Sequence, residues 1–218
     1  SVVGGSVNKV RGVGASVIAG GTVNNIYTCQ SFIGGGMCND VCGDNSSIVG
    51  GCCNTADGNC SIVAGGRQNT ANGNFSFIGG GKGNYAQGSG VIGGGKYNQI
   101  KGIYSTIAGG KCNIIDLNAN CSLIAGGYKN TICTYKTFAG IKGNNNVLNH
   151  SKSFIIGNCL TSSTTDTTFV ENLSAPGKLR GDSLLVTNGL SAHGSTFIVD
   201  ASTNNVGIGT NTPNEALT

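Results

Sequence analysis

The chain has 218 residues, of which only 10% are charged, and it contains 39 glycines, ten cysteines and no tryptophan. This composition argues against a conventional globular core, and the glycine content together with the scarcity of Leu and Glu in the repeats argues against helices. A net charge of +4 does not favour nucleic acid as a partner, and no apolar run approaches the roughly 20 residues of a membrane span.

A motif of about fifteen residues recurs between Ser1 and about His150, and the copy from Ser61 to Phe75 reads SIVAGGRQNTANGNF. Self-similarity at a fixed period is typical of a repeat architecture, in which each copy forms one turn of a coil. An Asn marks the copies at steps of 14 to 17 residues, with 15 the commonest step. Its positions are Asn8, Asn24, Asn39, Asn54, Asn69, Asn84, Asn98, Asn113, Asn130 and Asn144.

Each copy contains two short stretches in which an aliphatic or small apolar residue stands between polar or small neighbours, as expected of a strand with one buried face. The first series is Val2, Ile18, Ile33, Ile48, Val63, Ile78, Ile92, Ile107 and Ile124, and the second is Val10, Ile26, Val41, Ala56, Ala71, Ala86, Ile100, Ile115 and Ile132. A pair such as Gly65-Gly66 and a later glycine such as Gly73 predict the corners between the stretches. The sequence therefore predicts an all-β fold, a parallel β-solenoid with about fifteen residues per turn.

The recurrent Asn is polar although it flanks core positions. In a parallel solenoid, equivalent residues of successive turns lie about 4.8 Å apart, so stacked Asn side chains can hydrogen-bond to the corner backbone. We predict a structural ladder formed by Asn24, Asn39, Asn54, Asn69, Asn84, Asn98, Asn113 and Asn130. The alternative is that Asn is present only because it tolerates turns, although turn chemistry alone would accept Gly or Asp in some copies.

The thin core predicts assembly. One turn offers about one buried Ile or Val, worth roughly 1.5 to 3 kcal/mol, against an ordering cost of roughly 1.5 kcal/mol per residue. Hydrogen bonds between turns offset much of this cost, and burial of a second face between chains would add to the stability. We therefore expect a homo-oligomer, for which a closed ring is the common symmetry.

The repeat pattern resembles a known family. The runs Ser76-Phe77-Ile78-Gly79-Gly80 and Asn84-Tyr85-Ala86-Gln87-Gly88 are similar to the head repeats of trimeric autotransporter adhesins of the YadA type. The likeness covers about two thirds of the chain, but the doubled or tripled Gly and the fixed Asn depart from the commoner head pattern. The resemblance implies a left-handed β-roll, a homotrimer and a role in adhesion.

The composition changes after His150, and the polar tract from Thr161 to Thr168 is typical of a linker. Beyond it, Thr168 to Val170, Ser183 to Val186 and Thr196 to Val199 are predicted strands, with turns at Pro176-Gly177, Asn188-Gly189 and Asn204-Asn205. We therefore divide the chain into a β-roll head, residues 1–160, and a β-rich neck, residues 161–218.

The neck carries a second resemblance. The segment from Asn205 to Pro213, NVGIGTNTP, resembles the VGIGT-x-x-P segment of trimeric fibres of bacteriophages, giant viruses and some bacteria. In those proteins it often lies shortly before a chaperone domain that aids trimerisation and is then cleaved off. Because the chain starts without Met and stops at Thr218, we expect it to be a fragment or a matured product of a longer fibre.

The ten cysteines have several interpretations that the sequence leaves open. Zinc would favour close pairs of defined spacing, and the pairs Cys38 with Cys42 and Cys52 with Cys53 are weak signals, so we assign no metal site and no cofactor. Cys38 and Cys53 occupy the same position in adjacent copies, which would permit a disulfide. Free thiols are equally compatible, and the redox state of the compartment decides between them.

A column of cations is the best candidate binding surface. Four successive copies carry a cation two residues before the Asn, at Arg67, Lys82, Lys96 and Lys111. The same or a neighbouring position of the repeat is occupied by Tyr97, Tyr128 and Lys129. Stacking would align them along one edge, where they could bind phosphate, sulfate or sialic acid. Alternatively, they are solvated charges that keep the rod soluble and protect its edges from aggregation.

The sequence does not favour an enzyme, because a glycosidase would need facing carboxylates and the repeats contain only Asp40, Asp44, Asp57 and Asp116, mostly in separate copies. We predict a non-catalytic trimeric fibre head that binds a cell-surface glycan or receptor, located on a cell surface or a virion. The alternative is a structural spacer whose binding tip lies outside this chain. In neither case do we expect nucleic-acid binding or membrane insertion by this chain.

Overall fold

The structure, a computed structural model, describes residues 1–170 together with the backbone of 190–191, 198–200 and 205–207. The chain divides into two compact units, Ser1–Leu173 and Ser174–Thr218. All regular elements in the described residues are β-strands, and this part of the chain contains no helix that could span a membrane.

Most strands of the first unit are two residues long, with one strand on each side of every turn. The strands are β1 Lys9–Val10, β2 Val17–Ile18, β3 Asn25–Ile26, β4 Phe32–Ile33, β5 Asp40–Val41, β6 Ser47–Ile48, β7 Thr55–Ala56, β8 Ile62–Val63, β9 Thr70–Ala71, β10 Phe77–Ile78, β11 Tyr85–Ala86, β12 Val91–Ile92, β13 Gln99–Ile100, β14 Thr106–Ile107, β15 Ile114–Ile115, β16 Leu123–Ile124, β17 Thr131–Ile132, β18 Gly140–Asn144, β19 Val147–Leu148, β20 Phe154–Asn158 and β21 Thr168–Val170.

The strands form two parallel sheets. The odd-numbered strands β1 to β19 build a ten-stranded sheet, and the even-numbered strands β2 to β20, followed by β21, build an eleven-stranded sheet. Register is kept from turn to turn at the repeat period, since Ala56 pairs with Ala71 and Ile48 pairs with Val63. The predicted parallel β-solenoid of about fifteen residues per turn is therefore confirmed.

The core is a double column of side chains between the two sheets. From Ile18 to Ile132, every aliphatic or alanine position of the two predicted series is fully buried. The first turn is the exception, since Val2 is 47% exposed and Val10 is only partly buried. Each turn thus buries two apolar side chains, and successive turns stack them into a continuous core.

The eleven-stranded sheet continues past residue 160, where the sequence analysis placed the end of the head. Thr168–Val170, which was assigned to the neck, pairs in parallel with β20, and Phe169 packs against the core. This strand therefore belongs to the solenoid sheet, because its apolar residue continues the buried column.

The second unit contains three described strands, β22 Leu190–Ser191, β23 Ile198–Asp200 and β24 Asn205–Gly207, which pair in antiparallel order. β23 overlaps the predicted strand from Thr196 to Val199, and β24 lies in the VGIGT segment. The predicted strand at 183–186, the predicted turns at 176–177 and 188–189, and residue 204 of the third turn lie outside the described residues.

The buried Asn side chains form hydrogen bonds within each corner and with the corners of the turns before and after it. Asn69 is fully buried, and its amide nitrogen donates to the carbonyl oxygens of Gly65 at 3.0 Å and Gly81 at 3.1 Å. Its amide oxygen accepts the backbone N–H of Asn84 at 3.0 Å. The same three contacts recur at Asn24, Asn39, Asn54, Asn84, Asn98, Asn113 and Asn130.

The final member of this column differs from the sequence prediction. Asn144 is exposed and belongs to β18, whereas Asn146 is fully buried and donates its backbone N–H to the amide oxygen of Asn130 at 3.1 Å. The reason is conformational. The ladder Asn follows a residue with positive φ in nearly every turn, and here that residue is Asn145, with φ of 51°.

The ladder leads to a stability prediction. We expect Asn69→Ala to lower the free energy of unfolding by about 1 to 3 kcal/mol, because it leaves buried backbone groups without hydrogen-bond partners. Gln68→Ala is the matched control, since Gln68 is exposed and its neighbours do not depend on its side chain. Equal denaturation midpoints for the two variants would show that the Asn contacts contribute nothing to stability.

Candidate functional site

The four predicted cations form one column on a corner of the solenoid. Parallel bridges connect Arg67 to Lys82, Lys82 to Lys96, and Lys96 to Lys111, and the same column continues to Tyr128. Each residue stands between the Gly-Gly pair and the ladder Asn, so the ladder fixes the backbone that carries the cations. The backbones of neighbouring residues in this column are about 4.8 Å apart.

A second column lies beside the first. Its residues adopt positive φ, as Tyr97 does at 56° and Lys129 does at 53°. Their backbone N–H groups donate to the turn before, from Tyr97 to the carbonyl oxygen of Lys82 at 2.9 Å and from Lys129 to that of Lys111 at 3.0 Å. The left-handed conformation places these side chains on the same corner as the cations. We call Arg67, Lys82, Lys96, Lys111 and Tyr128, with Tyr97 and Lys129, the cationic edge.

Lysines and tyrosines are interleaved on this edge. The ammonium of Lys96 lies 5.1 Å from the centre of the Tyr97 ring. The ammonium groups of Lys111 and Lys129 lie 5.5 Å and 5.3 Å from the centre of the Tyr128 ring. These distances fit cation–π contacts, which at exposed sites contribute roughly 0.5 to 1 kcal/mol. The rings and the charges therefore form one mixed surface.

Gly83 is a member of this edge that sequence reasoning missed. The ring of Tyr97 lies over it, since a side-chain carbon added at Gly83 would stand 2.5 Å from Cδ1 of Tyr97. Tyr97 as a whole remains 47% exposed. The signal in the sequence is that the position before the ladder Asn carries a side chain in the neighbouring copies and is Gly only here.

The charges of the cationic edge are available to a ligand. Arg67, Lys96 and Lys111 are exposed and Lys82 is half-buried. In residues 1–170 the two ion pairs are Lys101 with Asp116 and Lys152 with Asp166, so the edge takes part in neither.

The carboxylates of the repeats belong to other columns. Asp40 lies in the ten-stranded sheet, and the Asp44 carboxylate accepts the backbone N–H of Cys29 at 3.0 Å. The backbone N–H of Leu117, together with the side chains of Lys101 and Thr134, lowers the pKa of Asp116. These carboxylates therefore lie outside the columns of the cationic edge, and Asp116 pairs instead with Lys101.

The outer face of the eleven-stranded sheet is apolar. The first residue of each strand points outward, and large apolar side chains at these positions are 36 to 49% exposed at Phe32, Ile62, Phe77, Leu123 and Phe154. We call this column, Val17, Phe32, Ser47, Ile62, Phe77, Val91, Thr106, Leu123, Gly140 and Phe154, the apolar stripe. The signal in the sequence is the residue between the Ser and the buried aliphatic, such as Phe77 between Ser76 and Ile78, which is hydrophobic in most copies.

Two further features lie beside the apolar stripe: an adjacent column of mostly apolar residues and a shallow pocket. The residues that follow the buried aliphatics include Ala19, Val49, Ala64 and Ala108, and the only charged member of that column in the described turns is Lys142. A shallow pocket of about 140 Å³ opens beside Gly140 and is lined by Leu123, Phe154 and Ile156 among others. The outer face of the ten-stranded sheet is more polar, because its column consists of Lys9, Asn25, Asp40, Thr55, Thr70, Tyr85, Gln99 and Thr131, with Ile114 and Val147 as its aliphatic members.

No protein-family model matches the chain, and a search of curated proteins finds no match. The likeness to adhesin head repeats and to viral or phage fibre segments therefore remains a resemblance in the repeat pattern and the VGIGT segment.

Proposed function

We propose that the chain is the head of a non-catalytic, trimeric fibre that attaches to anionic glycans on a cell surface. The observation that carries the proposal is the cationic edge, an aligned column of cations that form no ion pair within residues 1–170 and that have aromatic rings beside them. Such a surface suits carboxylate, sulfate or phosphate groups that are presented repeatedly along a chain or a membrane. This role places the protein outside a cell or on a virion.

The apolar stripe supports the trimer. Large apolar patches on a soluble protein mark sites of association, and the apolar stripe runs along one side of the solenoid from β2 to β20, interrupted by Ser47, Thr106 and Gly140. Three chains related by an axis parallel to the rod would bury their stripes together. Their cationic edges would then be repeated around the axis.

Repetition is what would make the attachment effective. Each exposed charge contributes little alone, because solvent and salt screen it. When one contact has formed, however, further contacts on the same fibre become intramolecular, and overall avidity can rise by about 10² to 10⁴. A solenoid with a regular column of charges presents this multivalency without further ordering.

Charge reversal tests the function. We expect Lys82→Glu with Lys96→Glu to abolish binding to cells that display sulfated or sialylated glycans, with little change in thermal stability. Raising the salt concentration should weaken wild-type binding in the same direction, since exposed charges are screened beyond about 8 Å at physiological ionic strength. Binding is measured with a labelled protein on intact cells and on a glycan array.

The control variant has the same change in net charge, but at exposed positions outside the cationic edge. Lys9→Glu with Lys152→Glu alters two exposed lysines away from the cationic edge and should leave binding close to wild type. Undiminished binding by the Lys82 and Lys96 variant would contradict the proposal and favour a structural spacer. An equal loss in both double variants would show that only net charge matters.

A further inference from the structure

Four sulfur-bearing side chains lie in two adjacent turns on the same corner of the rod as the cationic edge, but in earlier turns: Met37 and Cys38 in one turn, and Cys52 and Cys53 in the next. Cys38 is a free, half-buried thiol in the same column as Cys53. Met37, the only methionine of the chain, is joined by a parallel bridge to Cys52. The sulfur of Cys52 lies 3.2 Å from that of Cys53. We call Met37, Cys52 and Cys53 the sulfur corner.

The backbone explains why adjacent cysteines meet. Consecutive residues of an extended strand point to opposite faces. Cys53 instead has φ of 56°, and its backbone N–H donates to the carbonyl oxygen of Met37 at 2.8 Å. This left-handed corner brings the side chain of Cys53 beside that of Cys52, and both residues are attached through the backbone to Met37 in the turn before.

The surroundings of the sulfur corner are accessible and contain no carboxylate in its two columns. Met37 is 49% exposed, Cys53 is exposed and Cys52 is half-buried. The turn before carries Thr22 and Val23 at these positions, and the turn after carries Arg67 and Gln68. A ligand here would therefore meet soft sulfur donors and no hard oxygen anion.

We propose that the sulfur corner is a binding site for a soft monovalent cation, Cu(I), held by the thiolates of Cys52 and Cys53 with the thioether of Met37 beside them. Thiolate and thioether ligands select Cu(I), whereas carboxylates and carbonyls suit harder ions. Each thiol that binds loses its proton to solvent as its sulfur–copper bond forms. The ion enters as Cu(I), so no electron is transferred.

Zinc fits less well. A structural zinc ion takes four ligands from Cys, His, Asp or Glu, and residues 1–170 contain no group of three or more of these side chains placed to hold a metal. The corner instead offers a close thiol pair and a thioether, which suits an ion of low coordination number. The inference does not depend on the attachment proposed for the cationic edge.

The test is a competition titration of the reduced, metal-free full chain with Cu(I), without oxygen, against a coloured Cu(I) chelator. Cys52→Ser with Cys53→Ser should lose one bound Cu(I) per chain relative to wild type. Met37→Leu should keep this ion but release it to a lower concentration of chelator. Cys112→Ser with Cys121→Ser is the matched control, because it also removes two thiols from corners and should keep the wild-type stoichiometry.

Several outcomes would overturn the proposal. One is equal Cu(I) uptake by wild type and by the Cys52 and Cys53 variant, provided that circular dichroism shows both to be folded. A second is stoichiometric binding of Zn(II) at this corner in preference to Cu(I). A third is a chain in which Cys52 and Cys53 are found as a disulfide that resists reduction and takes up no copper.

Discussion

Gly66→Ala is expected to cause a large loss of stability. Gly66 has φ of +85°, and a side-chain carbon there would lie 2.2 Å from the carbonyl oxygen of Gly81 and 2.7 Å from the amide nitrogen of Asn69. An alanine would be strained by its φ alone, at a cost of about 1 to 3 kcal/mol. It would also push apart two turns and disturb the Asn ladder.

Gly65→Ala is the matched control in the same corner. A side-chain carbon added at Gly65 meets nothing within 4 Å, and its φ lies outside the left-handed region. Alanine there should be neutral or raise the free energy of unfolding by up to about 1 kcal/mol, because it restricts the unfolded chain. The measurement is chemical denaturation of both variants, and similar losses would refute the stacked corner geometry.

Charges on the apolar stripe are expected to break up the assembly. Ile62 and Phe77 are paired neighbours in the eleven-stranded sheet, and their side chains are 40% and 36% exposed in the single chain. In a trimer packed through the stripe, Ile62→Asp with Phe77→Asp would bury unpaired carboxylates, at a cost of several kcal/mol per charge. The variant should sediment as a monomer at micromolar concentration.

The control for the stripe is on the opposite sheet at the same height along the rod. Thr70 and Tyr85 are paired neighbours in the ten-stranded sheet, and both are half-buried on its polar outer face. Thr70→Asp with Tyr85→Asp should keep the wild-type sedimentation. Dissociation of this variant alone would place the interface on the ten-stranded sheet.

The sequence was sufficient to predict the solenoid, because the repeat period and the buried positions depend on a local alternation of apolar and polar residues. It identified the columns of Ile48 and Ala56, and it aligned Lys82 with Lys96. The predicted ladder ended at Asn130, and the sequence took Asn144 as the recurrent Asn of the last copy, because three consecutive asparagines at 144–146 offer the same chemistry. Only the positive φ of Asn145 decides that Asn146 points into the rod.

Glycine was harder to interpret than the aliphatic positions. The sequence suggested that Gly73 and its equivalents close the second corner, and left-handed backbone is the usual reason for glycine in turns. In the structure Phe75 takes the positive φ, at 60°, whereas a side-chain carbon at Gly73 would stand 2.2 Å from the backbone nitrogen of Gly88. This glycine is required by the close approach of two turns, a contact that no single repeat reveals.

The apolar stripe was visible in the sequence as a hydrophobic residue before the buried aliphatic in most copies, yet the direction of its side chain was not. In a two-residue strand, one residue faces the core and the other faces outward. The buried partner in each pair could be recognised by its regular aliphatic character. The exposed partner alternates among Phe, Ile, Val, Leu, Ser and Thr, and this variety hid a face that is continuous only when the turns are stacked.

The mass of the wild-type chain in solution tests the central claim most directly. Light scattering of the purified protein at micromolar concentration should give three times the chain mass of 21.8 kDa, because three apolar stripes are expected to be buried around one axis. A folded species with the mass of a single chain would contradict the trimer, and with it the proposal that symmetry multiplies the cationic edge.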